Sequence, residues 1–302
     1  MHTVKSRHTL LLPTVTILVL MLAGCGAGQG DADEAGKEAG RANVEAMAKE
    51  HANDTTDASP GALVAPSSTV ASQTMAYTEY DDQLVYGYFS APADMFEPLP
   101  AVIMIHEWWG LNDNIRAMAD RLAAEGYIVL AVDLYGGKIA ASAAEAKALM
   151  TEVVERPEAA ETNIRAAYDF LDNTVGAPRI GSIGWCFGGA WSLNTAKLFP
   201  DELDASVIYY GAVTNDEDLL RPINTPILGL FGAEDRGISV ASVNAFSEAL
   251  ERLRKNHAVH IYPGVGHAFA NPTGQNYDEV SAEDAWTRTL QFLDLHLSIR
   301  VP

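Results

Sequence analysis

The stretch Ile180-Gly181-Ser182-Ile183-Gly184-Trp185-Cys186-Phe187-Gly188-Gly189-Ala190 runs apolar into a cysteine that has glycine two residues before it and two residues after it. That pattern reads as a buried strand, a sharp turn and the start of a helix. In a turn so tight, a side chain at either flanking glycine would collide with the neighbouring strand or helix, which is why a nucleophile elbow carries small residues there. The turn lifts one side chain above the sheet edge at a helix N-terminus, where the local positive potential favours a thiolate. Cys186 holds the place usually taken by serine. The plainer alternative is a free cysteine packed in a core, where most free cysteines lie.

Working outward, residues 101–105 form a continuous apolar run of the kind buried on both faces of a parallel sheet, and end in His106-Glu107-Trp108-Trp109-Gly110. Residues 127–133, 205–210, 226–231 and 258–262 supply further short strands, and 75–91 suggests an antiparallel pair turning at Asp81-Asp82. Helical patterns fall between them at 113–125, 143–155, 158–172, 187–198 and 240–254, with a closing amphipathic helix at 284–297. Strands alternating with helices predict an α/β fold, a mostly parallel central sheet with helices on both faces. Ligands on such sheets bind outside the carboxyl ends of the strands, which puts Glu107, Cys186, Asp235 and His267 on one rim.

A thiol nucleophile needs a base, and the base needs an acceptor that fixes its tautomer and offsets its charge. Asp235, in Gly232-Ala233-Glu234-Asp235, and His267, in Gly264-Val265-Gly266-His267-Ala268-Phe269, follow Cys186 in the order nucleophile, acid, histidine. Glu234 is the alternative acid. His106, His257 and His260 are rival bases, but His257 and His260 flank or lie within a strand, whereas His267 sits in a glycine-bounded loop after one. Asp133 reads as a loop-capping carboxylate. The histidines lack a convincing metal-ligand spacing, so no metal and no cofactor are expected.

Together the elbow, the Gly-Ala-Glu-Asp loop, the Gly-His-Ala-Phe loop and the His106–Gly110 segment resemble the dienelactone hydrolases, or carboxymethylenebutenolidases, of the α/β-hydrolase superfamily. The resemblance spans about residues 75–297. It implies a Cys186, His267, Asp235 triad acting on an ester or lactone through a thioester. It also implies that Glu107 contacts the resting thiol and helps to activate it. An oxyanion hole is expected from the backbone N–H groups of Phe187 and Trp108. The family's two arginines that clamp a substrate carboxylate are missing: the first region reads Asp133-Leu134-Tyr135-Gly136-Gly137-Lys138 and the second His267-Ala268-Phe269-Ala270-Asn271. Lys138 is the one cation available there, and a point charge is not a bidentate fork. Trp109, with Trp108, is a candidate wall for an apolar pocket. Readings of another class are a binding or scaffold module without turnover, or a related hydrolase of thioesters or carbon–halogen bonds.

The N-terminus carries a different message. Lys5 and Arg7 precede an apolar run to Leu22, and Leu22-Ala23-Gly24-Cys25 follows, which resembles a bacterial lipoprotein signal over residues 1–24 with Cys25 as the lipidated residue. An exported protein anchored to a membrane of the cell envelope is the expectation. Residues 25–74, rich in Ala, Gly, Asp, Glu, Ser and Thr, predict a disordered tether, because they bury too little apolar surface to offset ordering. Residues 35–51 could form a transient helix there. The catalytic domain is then 75–302. Of 302 residues, 40 are acidic and 20 are Lys or Arg, giving a formal charge of −20. Long-range repulsion disfavours nucleic acid. Cys25 and Cys186 are the chain's two cysteines, and their contexts argue against a disulfide between them.

Overall fold

The structure, a computed structural model, describes residues 27–51, 65–80, 82–94 and 97–298. Two compact units make up the chain, Met1–Gly36 and Lys37–Pro302. Of the first, the described part is the opening of helix α1 (Ala27–Glu50), whose remainder belongs to the second unit. The expected signal segment and Cys25 lie outside the described residues. Among the described residues no helix is long and apolar enough to cross a membrane.

The second unit is built on one eight-stranded sheet. In chain order its elements are β1 (Val70–Tyr80), β2 (Gln83–Pro92), β3 (Ala101–Ile105), α2 (Asp113–Ala123), β4 (Ile128–Val132), α3 (Ala143–Glu155), α4 (Pro157–Asp169), β5 (Ile180–Trp185), α5 (Phe187–Leu198), β6 (Ala205–Tyr209), α6 (Glu217–Leu220), β7 (Ile227–Gly232), α7 (Val240–Arg252), β8 (His257–Tyr262) and α8 (Glu279–Leu297). The strand order is β1-β2-β4-β3-β5-β6-β7-β8. β1 and β2 form the expected antiparallel pair, β2 runs antiparallel to β4, and every later pairing is parallel. With helices packed on it, this is the mostly parallel α/β sheet that the alternating pattern predicts, in the arrangement that the α/β-hydrolase resemblance implies.

β3, β4, β5, β6 and β7 are buried at every residue, as strands covered on both faces must be. The helices start where their caps dictate. Asn112 accepts from Ile115 N at the head of α2, Ser239 from Ser242 N at α7, and Asp278 from Ser281 N at α8. That last cap starts α8 at Glu279, a turn before the expected start. α4 gives way to a π-helical turn, Phe170–Val175, which Gly176 closes at φ 72°.

The stretch expected to be a disordered tether is helical over Ala27–Glu50, and Val44 and Met47 join the hydrophobic core. Gly40, Val44, Met47 and His51 recur at helical spacing, so a narrow stripe of an otherwise polar helix faces inward. Gly40 faces Val154 of α3. Arg41 meets Glu155 at 2.5 Å and Glu45 meets Lys147 at 2.7 Å, both on α3. Composition alone predicts disorder; tertiary partners for one face supply the missing burial.

Candidate active site

Everything at the site follows from how β5 ends. Cys186 sits between β5 and α5 at φ 57° and ψ −117°, a conformation costly for a residue with a Cβ and held by its surroundings. Its N–H donates to Tyr209 O of β6 at 3.0 Å, and its carbonyl accepts from Ala190 N at 3.2 Å. A Cβ at Gly184 would fall on the Gly188 backbone. One at Gly188 would lie 2.5 Å from His106 O and closer still to Ile105 O. The glycines thus let α5 press onto the end of β3, from which the chain runs on into Glu107 and Trp108.

Asp235 and His267 reach the same rim from β7 and β8. The loops after those strands are stitched together by Ala233 N to Tyr262 O at 2.8 Å and Glu234 N to Val265 O at 2.9 Å. Asp235 is buried; its Oδ1 accepts from Gly237 N at 2.8 Å and Ile238 N at 2.7 Å. Its Oδ2 lies 2.7 Å from His267 Nδ1, both side chains fully enclosed. That leaves His267 Nε2 facing the site, buried and with no hydrogen bond. Cys186 Sγ and one ring nitrogen of His267 lie within 4.8 Å of each other. Burial pushes the Cys186 thiol up, but the charge of His267, joined by His51, outweighs it and brings the thiol down to about 6. Burial opposes the charged form of His267 too, yet the thiolate and Asp235 hold its imidazolium well above the ordinary histidine range. Both shifts favour the thiolate–imidazolium form of the pair.

The rivals have structural duties. His106 is buried, with Nδ1 at 2.6 Å from Glu107 O and Nε2 accepting from Leu134 N at 3.1 Å, so its ring braces two strand ends. His257 packs its ring nitrogens on Lys255 O and Ser247. Glu234 is exposed where its neighbour Asp235 is buried. Asp133 caps its loop, accepting from Tyr135 N at 2.8 Å and from Gly137 N.

Glu107 is buried. Its Oε2 accepts from Asn271 Nδ2 at 2.6 Å and its Oε1 from the Tyr210 hydroxyl at 3.4 Å. So Asn271, at the place expected to lack an arginine, holds the glutamate. Lys138 lies at the surface, its side chain 63 % exposed and its ammonium 3.8 Å from Glu152 of α3. The structure does not bring it among the side chains around the thiol. Trp108 and Trp109 are buried and meet edge to face at 4.9 Å.

Residues 85–297 match the family described as dienelactone hydrolase. The chain belongs to the dienelactone hydrolase family. It is 34% identical over 206 residues to protein usf of Aquifex pyrophilus, a match covering 66% of this chain and 89% of that one. A protein of Saccharolobus solfataricus provisionally named carboxymethylenebutenolidase is 31% identical over 254 residues, covering 72% of this chain and 96% of its own. Among solved structures, a provisionally named dienelactone hydrolase of Klebsiella pneumoniae superposes with a TM-score of 0.65 at 27% identity, over 74% of this chain and 98% of that one.

What sequence reasoning missed in this family member is the roof of the site. Met47 Sδ lies 3.5 Å from Cys186 Sγ, and His51 Nε2 lies 3.8 Å from it. The His51 ring sits 4.7 Å from that of Trp108 and 5.1 Å from that of His267, centroid to centroid. Under this cover Cys186 is 2 % exposed, Met47 1 % and His51 2 %. The stripe at 40, 44, 47 and 51 was the available signal.

Proposed function

We propose that this member of the dienelactone hydrolase family hydrolyses carboxylic esters or lactones through Cys186, with His267 as base and Asp235 as its orienting acid. The observation that carries the proposal is the strained Cys186 turn set beside a buried His267 whose other nitrogen is fixed on Asp235. The thiolate attacks the carbonyl carbon. The Phe187 N–H, at the head of α5, and the Trp108 N–H, in the turn after β3, are the donors assigned to the oxyanion. Collapse breaks the carbon–oxygen bond, and the departing alkoxide takes the proton from His267. Water then attacks the thioester as His267 Nε2 accepts its proton, releasing the acid and the thiolate. Glu107, anchored by Asn271 and Tyr210, is the group assigned to tuning the thiol.

No arginine fork faces the thiol from the two expected positions, and Lys138 is turned to Glu152, which favours a substrate without a carboxylate over the dienelactone type. With residues 37–51 seated, substrate reaches Sγ only once Met47 and His51 lift away. The Leu22–Cys25 motif supports placing this enzyme at a membrane of the cell envelope through a lipid on Cys25.

The test is a panel of activated esters and lactones, with and without a carboxylate. A burst of product expected from wild type should vanish in Cys186→Ala. Undiminished turnover by that variant would exclude the thiol, and absence of hydrolysis across the panel would favour a binding module.

A further inference from the structure

His51, Cys186 and His267 come from three distant parts of the chain, yet one donor atom of each lies within 4.8 Å of the other two, and all three are buried. A tetrahedral zinc with bonds of about 2.3 Å to sulfur and about 2.0–2.1 Å to nitrogen sets its donors roughly 3.3–3.6 Å apart. Sγ and His51 Nε2 are already at 3.8 Å. Closing the remaining gaps, none wider than 4.8 Å, takes side-chain shifts of about 1.5 Å at most.

The surroundings of His267 match those of a ligating histidine. Its Nδ1 lies 2.7 Å from Asp235, the carboxylate partner that metal-bound imidazoles commonly keep, which turns Nε2 toward the thiol and leaves it to bind a metal once its proton is released. That Nε2 is enclosed without a hydrogen bond, so the fold leaves a buried ring nitrogen without a partner. A thiolate and two imidazoles select zinc or another borderline-to-soft transition metal over magnesium or calcium, which require oxygen ligands.

We propose that His51, Cys186 and His267 form a transition-metal site that clamps residues 37–51 over the catalytic cysteine. Binding forms one metal–sulfur and two metal–nitrogen bonds and releases one proton to solvent, from the thiol or from the imidazolium to which the thiol gave it. The metal takes nucleophile and base together, and the roof becomes a ligand-bearing lid. Because the site rests on geometry alone, it stands or falls apart from the proposed hydrolysis.

The full-length chain, stripped with a chelator, is titrated with cobalt(II) and followed by absorption. One equivalent should give thiolate-to-cobalt charge transfer and the intense visible bands of tetrahedral cobalt. Zinc(II) should displace it and magnesium(II) should not. Loss of a metal ligand should cost at least as much as loss of its supporting partner, so His51→Gln should weaken cobalt binding by about 100-fold or more, and Asp235→Asn by about 10- to 100-fold. Cys186→Ser should remove the charge-transfer band. Thermal unfolding without metal identifies a variant that has lost its fold, and His51→Cys, which keeps a ligand, should then retain one-equivalent binding with shifted bands. Absence of the thiolate band in wild type, or equal affinity in folded His51→Gln, overturns the proposal.

Discussion

Met47 is the residue through which the roof can be loosened with least disturbance to the chemistry beneath it. Its side chain is 1 % exposed, stands 3.5 Å from Cys186 Sγ and also meets Gly237 beside Asp235. Cutting a buried methionine to alanine removes about 2–5 kcal/mol of packing. Lifting residues 37–51 forfeits those contacts, so the loss falls on the covered form and favours the lifted one by nearly the same amount. At a factor of ten per 1.4 kcal/mol, the lifted population of Met47→Ala should rise by about 30-fold to several thousandfold, until lifting ceases to limit access. The assay is the second-order rate of Cys186 alkylation by iodoacetamide at fixed pH, with the onset of thermal unfolding of the sheet as control. Alkylation should accelerate at least about 30-fold while the bulk of the domain unfolds as before. An unchanged alkylation rate in a folded Met47→Ala protein would refute the claim that this segment gates the thiol.

The pH dependence of the same reaction carries a sign. A thiol depressed to about 6 by the imidazolium is already thiolate at neutral pH, so the alkylation rate should climb through about pH 6 and level off, where an ordinary cysteine climbs through about 8.5. Asp235→Asn weakens the hold on the imidazolium and should move that inflection upward. Asn271→Leu leaves the buried Glu107 carboxylate short of its 2.6 Å donor and should cost about 1.5–3 kcal/mol of stability in urea unfolding, whereas Asn271→Gln should recover part of it. Gly188→Ala drives a methyl into the carbonyls of Ile105 and His106. It should destabilise by about 3 kcal/mol or more, seen as lost soluble yield or a lowered melting temperature.

The sheet and the rim were readable because their signals are local. Each of β3, β5 and β7 is a short apolar run bounded by turn residues, and Glu107, Cys186, Asp235 and His267 each follow a strand, so chain order alone brings them to one edge. The roof was not readable for the opposite reason. Val44, Met47 and His51 make a stripe too thin to stabilise a helix by itself, and its worth comes from α3 and the thiol, which lie far away in sequence. Asn271 likewise reads as a missing charge until the fold shows its amide on Glu107. Lys138 reads as a spare cation until Glu152 is seen beside it. β1 begins at Val70 rather than Met75, because its early residues are polar and exposed and are recruited by pairing with β2.

The roof is fastened in two chemically unlike ways. Its margin is held by the exposed pairs Arg41–Glu155 and Glu45–Lys147, its centre by enclosed Val44 and Met47. Simple electrolytes screen the first kind of fastening, since charges at the surface fade over a Debye length of about 8 Å at 0.15 M. Strongly hydrated anions such as sulfate reinforce the second kind through preferential exclusion. Two salts matched for ionic strength screen the margin alike, so the thiol should be less accessible in sulfate than in chloride, because sulfate alone also tightens the centre. The protein's readiness to react becomes a property of the ionic character of its surroundings as well as of its substrate.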